Sequence, residues 1–257
     1  MKAMIQLLVI LSVALASACV TTGRKPEPDA QSIKNAAGYN LQLGVAYMQQ
    51  GRLAAALEIL EKSIRQDPDR ADTHTALAVL YVRLGKLEKA GAEYRRSLRL
   101  EPDNSATLNN YGAFLCQRGD YDQAMESFAE AVQNPLYRTP AAAHTNAGLC
   151  ARDQGHSGQA ESYFRLALVA DPRFTGALLQ LADLSFEEKI YLQARAFMDR
   201  YMASAAAATP DALWLGLRVE QALGDKAAAG AYSTQLLKKF PDSVEVRWLL
   251  EAEKNAG

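Results

Sequence analysis

The sequence predicts an all-α fold, a superhelical solenoid of about six helix-turn-helix repeats that ends in a C-terminal capping helix. The main observation is a period of 34 residues that begins near Ala37. Each period carries small residues at positions 8 and 20 and a large residue at position 24, and four units carry a proline at or next to position 32. Such a period indicates one supersecondary unit per repeat, and neighbouring units must stack to bury their apolar stripes.

The units share one alignment along the chain. The first unit places Gly44, Ala56, Leu60 and Pro68 at the four marked positions. The predicted repeats span 37–70, 71–104, 105–138, 141–174, 175–208 and 209–242, with Thr139 and Pro140 as an insertion before the fourth. The segment from Ser243 to about Lys254 is predicted to form the capping helix, so the repeat domain extends over 37–257.

The marked positions have physical reasons. Small residues at positions 8 and 20 let the two helices of a hairpin cross closely, and the large residue at position 24 fills the space beside them. Glycine at the hairpin turn, as at Gly51 and Gly85, ends the first helix. Pro68 and Pro102, each after an acidic residue, end the second helix. The pattern resembles the tetratricopeptide repeat over residues 37–242, which implies a concave face that binds extended or helical peptides.

The N-terminus has the three parts of a signal peptide, which we predict for residues 1–18. Lys2 is followed by an apolar run from Ile5 to Ala16, too short for a comfortable membrane span. Small residues then precede Cys19, a pattern that resembles a bacterial lipobox. The resemblance implies that Cys19 becomes the first residue of the mature chain and carries covalent lipid. An ordinary secretory peptide with an incidental cysteine is the alternative.

The lipid predicts attachment to a membrane through acyl chains. Two chains on the thiol of Cys19, and a third on the freed amine, hold far better than a single chain. Val20 rather than aspartate follows the cysteine, so the expected location is the periplasmic face of the outer membrane. Residues 19–36 are predicted to be the lipidated N-terminus and a flexible tether, because Pro26 and Pro28 lie in a segment without an apolar period.

The concave face is the predicted partner-binding groove. Its first-helix positions are apolar in the first two repeats and rich in amides in the next two. The candidate groove residues are Leu41, Val45, Met48, Val79, Val82, Asn110 and Asn146. Asn110 and Asn146 share position 6, where an asparagine amide can pair with the backbone of a bound strand. The alternative is that the apolar set packs between helices and that the asparagines are merely exposed.

Cys116 and Cys150 are the two thiols that remain if Cys19 carries lipid, and an exported protein meets an oxidising compartment. Both lie near the ends of neighbouring first helices. A disulfide between them closes a loop of about 35 residues and stabilises the fold by about 3–4 kcal/mol in the chain-entropy model. Two small buried hydrophobic side chains are the alternative, because helix axes about 9 Å apart leave little slack for the bond.

The sequence offers no residues for catalysis. His74 and His144 occupy position 4 of a first helix, a packing position, and His156 lies in a turn. No spacing suits a metal site, and the common hydrolase, phosphate-loop and metalloprotease motifs do not occur. The 28 Lys and Arg nearly balance the 29 Asp and Glu, which argues against nucleic acid. We expect no enzyme activity, no metal, no cofactor beyond the covalent lipid and no small-molecule substrate.

Three stretches go beyond the general repeat: residues 109–116 (Asn-Asn-Tyr-Gly-Ala-Phe-Leu-Cys), 134–137 (Asn-Pro-Leu-Tyr) and 146–150 (Asn-Ala-Gly-Leu-Cys). With a lipobox before six repeats, the whole chain resembles the type IV pilus biogenesis and stability lipoproteins of the PilW/PilF type. The resemblance implies a pilotin that binds the pilus secretin subunit, promotes its outer-membrane localisation or multimer assembly, and so supports twitching motility. It also favours the disulfide, since both cysteines lie in the family's motifs. A periplasmic adaptor for another envelope or cell-wall machine is the alternative.

Overall fold

The computed structural model describes residues 29–256, apart from the side chains of residues 253, 255 and 256, and every regular element in this part of the chain is an α-helix. The helices are α1 (Ala30–Gln49), α2 (Leu53–Gln66), α3 (Ala71–Arg83), α4 (Leu87–Leu100), α5 (Ser105–Arg118), α6 (Tyr121–Gln133), α7 (Pro140–Asp153), α8 (Ser157–Ala170), α9 (Thr175–Glu187), α10 (Tyr191–Ser204), α11 (Pro210–Leu223), α12 (Lys226–Lys239) and α13 (Val244–Ala256).

The helices pair as six hairpins, from α1 with α2 to α11 with α12, and each hairpin packs on the next. The first helix of each hairpin after α1 begins within a residue of a predicted repeat boundary, and α13 packs on the last hairpin as the cap. The predicted all-α solenoid of six repeats is therefore confirmed. The insertion before the fourth repeat is absorbed locally, because Pro140 serves as the first residue of α7, where its missing N–H costs nothing.

The hairpin turns depend on a residue in the left-handed region of backbone conformation. After α5 this residue is Gly119, with φ +84°, and its N–H donates to the Cys116 carbonyl. The same geometry between α9 and α10 falls on Lys189, with φ +63°. Glycine adopts this conformation without steric cost, which explains why the turns carry it so often.

The close crossing within a hairpin requires a small residue at position 8. At Gly148, a Cβ atom would lie 2.5 Å from Cε1 of Phe164, the fully buried position-24 residue of the same repeat. Ala160, at position 20 of that repeat, is also fully buried. The predicted pairing of small and large residues is therefore the contact that joins each pair of helices.

The N-terminal boundary differs from the prediction. Residues 30–36, expected in the tether, form the first two turns of α1. Asp29 is the reason: its Oδ1 accepts from the Ser32 N–H at 2.6 Å and caps the helix, and no proline follows Pro28 there. The predicted signal peptide (1–18) and the lipidation site Cys19 lie outside the described residues and stay predictions. In residues 29–256 no helix is long and apolar enough to cross a membrane.

The interior contains two main hydrophobic cores in sequence along the solenoid. The first runs from Met48 to Cys150 and the second from Ala141 to Leu249. Tyr163, on α8, packs against both. The first three repeats and the last three therefore have largely separate interiors, as expected for a stack in which each unit contacts its neighbours.

Candidate partner-binding groove

A groove of ≈ 640 Å³ lies across the first helices of the first three repeats. Helices α1, α3 and α5 supply its walls, so it occupies the concave face that the repeat pattern predicts. Leu41, Val45, Met48, Val79 and Asn110 all line it. The structure thus brings five of the seven predicted groove residues together.

The floor of the groove is apolar but incompletely covered. Leu41, Val45 and Val79 are half-buried, and each packs with its inner side against the first hydrophobic core. Met48 is 5% exposed and belongs to that core. Each of the half-buried side chains therefore packs in the core on one side and leaves apolar atoms uncovered in the groove on the other. The uncovered apolar area is what a partner gains by binding.

Two predicted groove residues lie elsewhere. Val82 is half-buried and packs against the first core without lining the groove, where its neighbour Arg83 lies instead. Asn146 donates from its amide nitrogen to Oδ1 of Asn109 at 2.9 Å, so its donor serves the contact between α7 and α5. The structure places Val82 outside this groove and gives one amide N–H of Asn146 an internal partner, and a role of either residue in partner binding stays a prediction.

The rim of the groove carries polar side chains. Arg83 donates from Nη1 to the Met48 carbonyl at 2.9 Å, across from α3 to the end of α1. Asp72 lies at the other end of α3, in its first turn. Gln42 and Gln49 stand exposed on α1, and the Asn110 side chain has no hydrogen-bond partner among residues 29–256. The groove is therefore apolar along its floor and charged or amide-bearing at its edges.

Cys116 and Cys150 are joined by a disulfide, with a Cα–Cα distance of 5.8 Å. The bond links α5 to α7, the first helices of the third and fourth repeats. Cys150 belongs to the first hydrophobic core and Cys116 packs against it, so the bond joins the third and fourth repeats inside that core. The two Cα atoms lie closer together than the average helix spacing predicts and within the range that a disulfide requires.

The histidines are explained by packing and hydrogen bonds. His74 is 7% exposed; its Nδ1 lies 2.6 Å from Oε2 of Glu93 and its Nε2 2.9 Å from the Pro68 carbonyl. Burial lowers the pKa of His74, but the hydrogen bonds to Glu93 and Pro68 and the charge of Glu93 outweigh it and raise the pKa above 6.5. Both neighbours are acceptors, which favours the doubly protonated ring. Residues 29–256 contain no group of three or more potential metal ligands.

On the concave face of the last three repeats, side chains of the chain itself cover much of the surface. Arg152 pairs with Asp183 at 2.7 Å and with Glu187 at 2.6 Å, joining α7 to α9. The ring of Trp214 on α11 packs at a tilt against Trp248 of the capping helix, with ring centroids 5.9 Å apart. The recess that remains between α9 and α11 measures ≈ 170 Å³. This part of the concave face therefore offers much less open apolar surface.

Sequence reasoning missed the charged ends of the groove. Asp72 and Arg83 both line it, at positions 2 and 13 of the second repeat. Position 2 already belongs to the face that points inward, so the repeat pattern alone could have found Asp72. Arg83 could not be found in the same way, because only the fold shows that its side chain reaches across to α1.

Three comparisons agree with this architecture. Profiles of the tetratricopeptide repeat match residues 47–106, 93–126 and 212–243. The type IV pilus assembly protein PilF of Pseudomonas aeruginosa is 32% identical over 249 residues, which cover 96% of this chain and 98% of the relative. An uncharacterised protein of Haemophilus influenzae is 30% identical over 57% of this chain and 79% of its own length.

Solved structures give the same result in three dimensions. The crystal structure of PilW, a widely conserved type IV pilus biogenesis factor, has a TM-score of 0.72 at 32% identity, covering 83% of this chain and 98% of PilW. The structure of Pseudomonas aeruginosa PilF has a TM-score of 0.71 at 31% identity, covering 86% of this chain and 99% of PilF. The chain is therefore a protein-interaction scaffold rather than an enzyme, and it belongs to the PilF/PilW family of tetratricopeptide-repeat type IV pilus biogenesis proteins.

Proposed function

We propose that this chain acts as a pilotin in type IV pilus biogenesis. In this role, the groove of the first three repeats binds the pilus secretin subunit. The lipid expected on Cys19 places the complex at the periplasmic face of the outer membrane, where the secretin assembles into its multimer. Membership of the PilF/PilW family supports the pilus role, and the open apolar groove is the observation that carries the binding step.

The mechanism needs only coupled binding and sorting. A partner segment gains free energy by covering the half-buried Leu41, Val45 and Val79, at about 25 cal/mol for each Å² of apolar surface removed from water. Sorting of the lipid then carries the scaffold and its bound subunit together. No covalent step occurs, so the rate of secretin assembly depends on occupancy of the groove and on the local concentration that the anchor creates.

The test is deletion of the gene, followed by quantification of secretin multimers in the outer-membrane fraction and by a twitching-motility assay. We expect multimers and motility to fall together and to return with the wild-type gene. Unchanged multimers would contradict the secretin role and favour an adaptor for another envelope machine.

The Cys19→Ala variant separates the anchor from the groove. We expect it to be exported but absent from the outer membrane, and to leave fewer secretin multimers there than wild type. The variant still binds the secretin subunit in a co-purification assay, because Cys19 lies outside the repeats. A normal phenotype would show that the anchor is dispensable.

A further inference from the structure

Two charged side chains mark the opposite ends of the groove. Asp72 and Arg83 both line it, both are exposed, and both belong to α3. Neither forms an ion pair with any residue between 29 and 256. Both charges can therefore pair with charged groups of a bound molecule. Arg152 differs, because it already pairs with two acidic residues of this chain.

The separation of these charges sets a length. They are 11 positions apart on one helix, which corresponds to about 16 Å at about 1.5 Å per residue. The apolar floor of the groove, formed by Leu41, Val45 and Val79, lies between the two charges. An occupant that meets both charges therefore spans about 16 Å and presents apolar side chains along its middle.

The amides in the groove indicate the backbone conformation of the occupant. Gln42, Gln49 and Asn110 line it, and none of their side chains has a hydrogen-bond partner in the part of the chain that the structure describes. An extended segment leaves its backbone N–H and C=O groups available to such amides, whereas a helix uses them internally. At about 3.3 Å per residue, an extended segment of about five residues covers the distance between the two charges.

The Arg83 guanidinium is already positioned for an anion. Its bond from Nη1 to the Met48 carbonyl fixes the side chain across the end of the groove and leaves its remaining N–H groups to a ligand. A carboxylate that binds there does not have to order a free arginine side chain, which reduces the entropic cost of the contact.

We propose that the groove takes an extended segment of about five residues, with alternating apolar side chains, a basic side chain beside Asp72 and an acidic side chain beside Arg83. The inference rests on the proposed function and specifies the kind of secretin segment that docks. It also fixes the direction of the segment, because the reverse order would place like charges together.

The experiment is a charge exchange between groove and peptide. Overlapping short peptides that cover the secretin subunit of the same organism are titrated into the purified full chain in detergent, with fluorescence anisotropy as the readout. We expect one bound peptide with the proposed pattern. Arg83→Glu lowers its affinity at least about tenfold, and a peptide in which lysine replaces the acidic residue restores most of the loss in that variant while binding wild type more weakly.

Controls separate charge from stability. Asp72 and Arg83 also favour the α3 dipole, and Arg83→Glu removes the bond to Met48, so loss of binding alone would not identify the contact. Rescue by the altered peptide does identify it. Arg95→Glu makes the same charge change on an exposed position of α4 outside the groove and should leave peptide affinity unchanged. Thermal melts confirm that each variant is folded.

Each outcome bears on the proposal. Failure of the altered peptide to rescue Arg83→Glu overturns the charge assignment, and helical circular dichroism of the bound peptide overturns the extended conformation. If no peptide binds but the whole secretin subunit still co-purifies with the wild-type chain, the linear segment is wrong and the proposed function survives. If the subunit does not co-purify either, the proposed function fails as well.

Discussion

The concave face of this solenoid differs between its two ends, although both are built on the same repeat. Across the first three repeats it is an open apolar groove of ≈ 640 Å³ with the charged side chains of Asp72 and Arg83 at its ends. Across the fifth and sixth repeats the recess between α9 and α11 measures ≈ 170 Å³. Arg152 with its two acidic partners, and Trp214 with Trp248, occupy the neighbouring surface.

The difference shows that the repeat specifies a scaffold and that the remaining positions specify its use. Leu41 and Leu179 both occupy position 5 of their repeats and both are half-buried. Leu41 lines the large groove, whereas Leu179 lines the small recess beside Trp214. A leucine at the same repeat position therefore lines a wide groove in one half and a narrow recess in the other.

The largest predicted effect concerns the disulfide between the two halves. The Cys116→Ala/Cys150→Ala double variant should lose about 3–4 kcal/mol of unfolding free energy in the chain-entropy model, because the bond closes a loop with a sequence separation of 34. Urea denaturation measures the loss, and reductant should reproduce it in wild type. Reductant added to the double variant is the control and should change nothing. Equal stability of the two proteins would show that the bond does not constrain the unfolded chain.

A smaller effect is predicted for the ion pairs of the C-terminal half. Arg152→Ala should lower the free energy of unfolding by about 1 kcal/mol, because the partly exposed side chain bridges two carboxylates. The loss is limited because water hydrates both carboxylates in the variant. Arg165→Ala, which breaks a more exposed pair with Glu161 within α8, should cost about 0.3–0.5 kcal/mol. Denaturant midpoints rank the two. If the proposed groove binds the secretin subunit, the affinity for that subunit should be unchanged in both variants.

The buried His74 and the half-buried His144 should give the two halves opposite pH dependence of stability. The raised pKa of His74 means that the folded state binds more protons than the unfolded state. Its contribution to stability is therefore complete below pH 6.5 and lost as pH rises through the raised pKa. Burial lowers the pKa of His144, so its contribution is complete above pH 6.5 and lost as pH falls through the lowered pKa.

Single variants separate the pH dependence of stability that each histidine contributes. Relative to wild type, His74→Gln should remove the loss of stability on raising the pH, and His144→Gln should remove the loss on lowering it. Denaturation at several pH values on both sides of 6.5 provides the measurement. The assignment is wrong if both variants change the pH profile in the same direction.

Sequence predicted the scaffold well because the repeat is enforced at every unit. Phe164 leaves no room for a Cβ atom at Gly148, and the same spacing of small and large residues recurs along the chain. The groove was predicted in outline, since first-helix positions face inward in any such stack. Arg83 was missed, and neither the position of Val82 outside the groove nor the bond of Asn146 to Asn109 was foreseen, because these contacts depend on which atoms a neighbouring helix brings near. The early start of α1 depends on a single capping bond from Asp29.

The most direct test of the central claim compares matched substitutions in the two halves. Leu41→Asp and Leu179→Asp introduce the same change at the same repeat position, and the affinity of each full-length variant for the purified secretin subunit is measured beside wild type. The groove account predicts at least about a tenfold loss for Leu41→Asp and no change for Leu179→Asp, provided that both variants melt cooperatively. Equal losses, or a loss confined to Leu179→Asp, would contradict it.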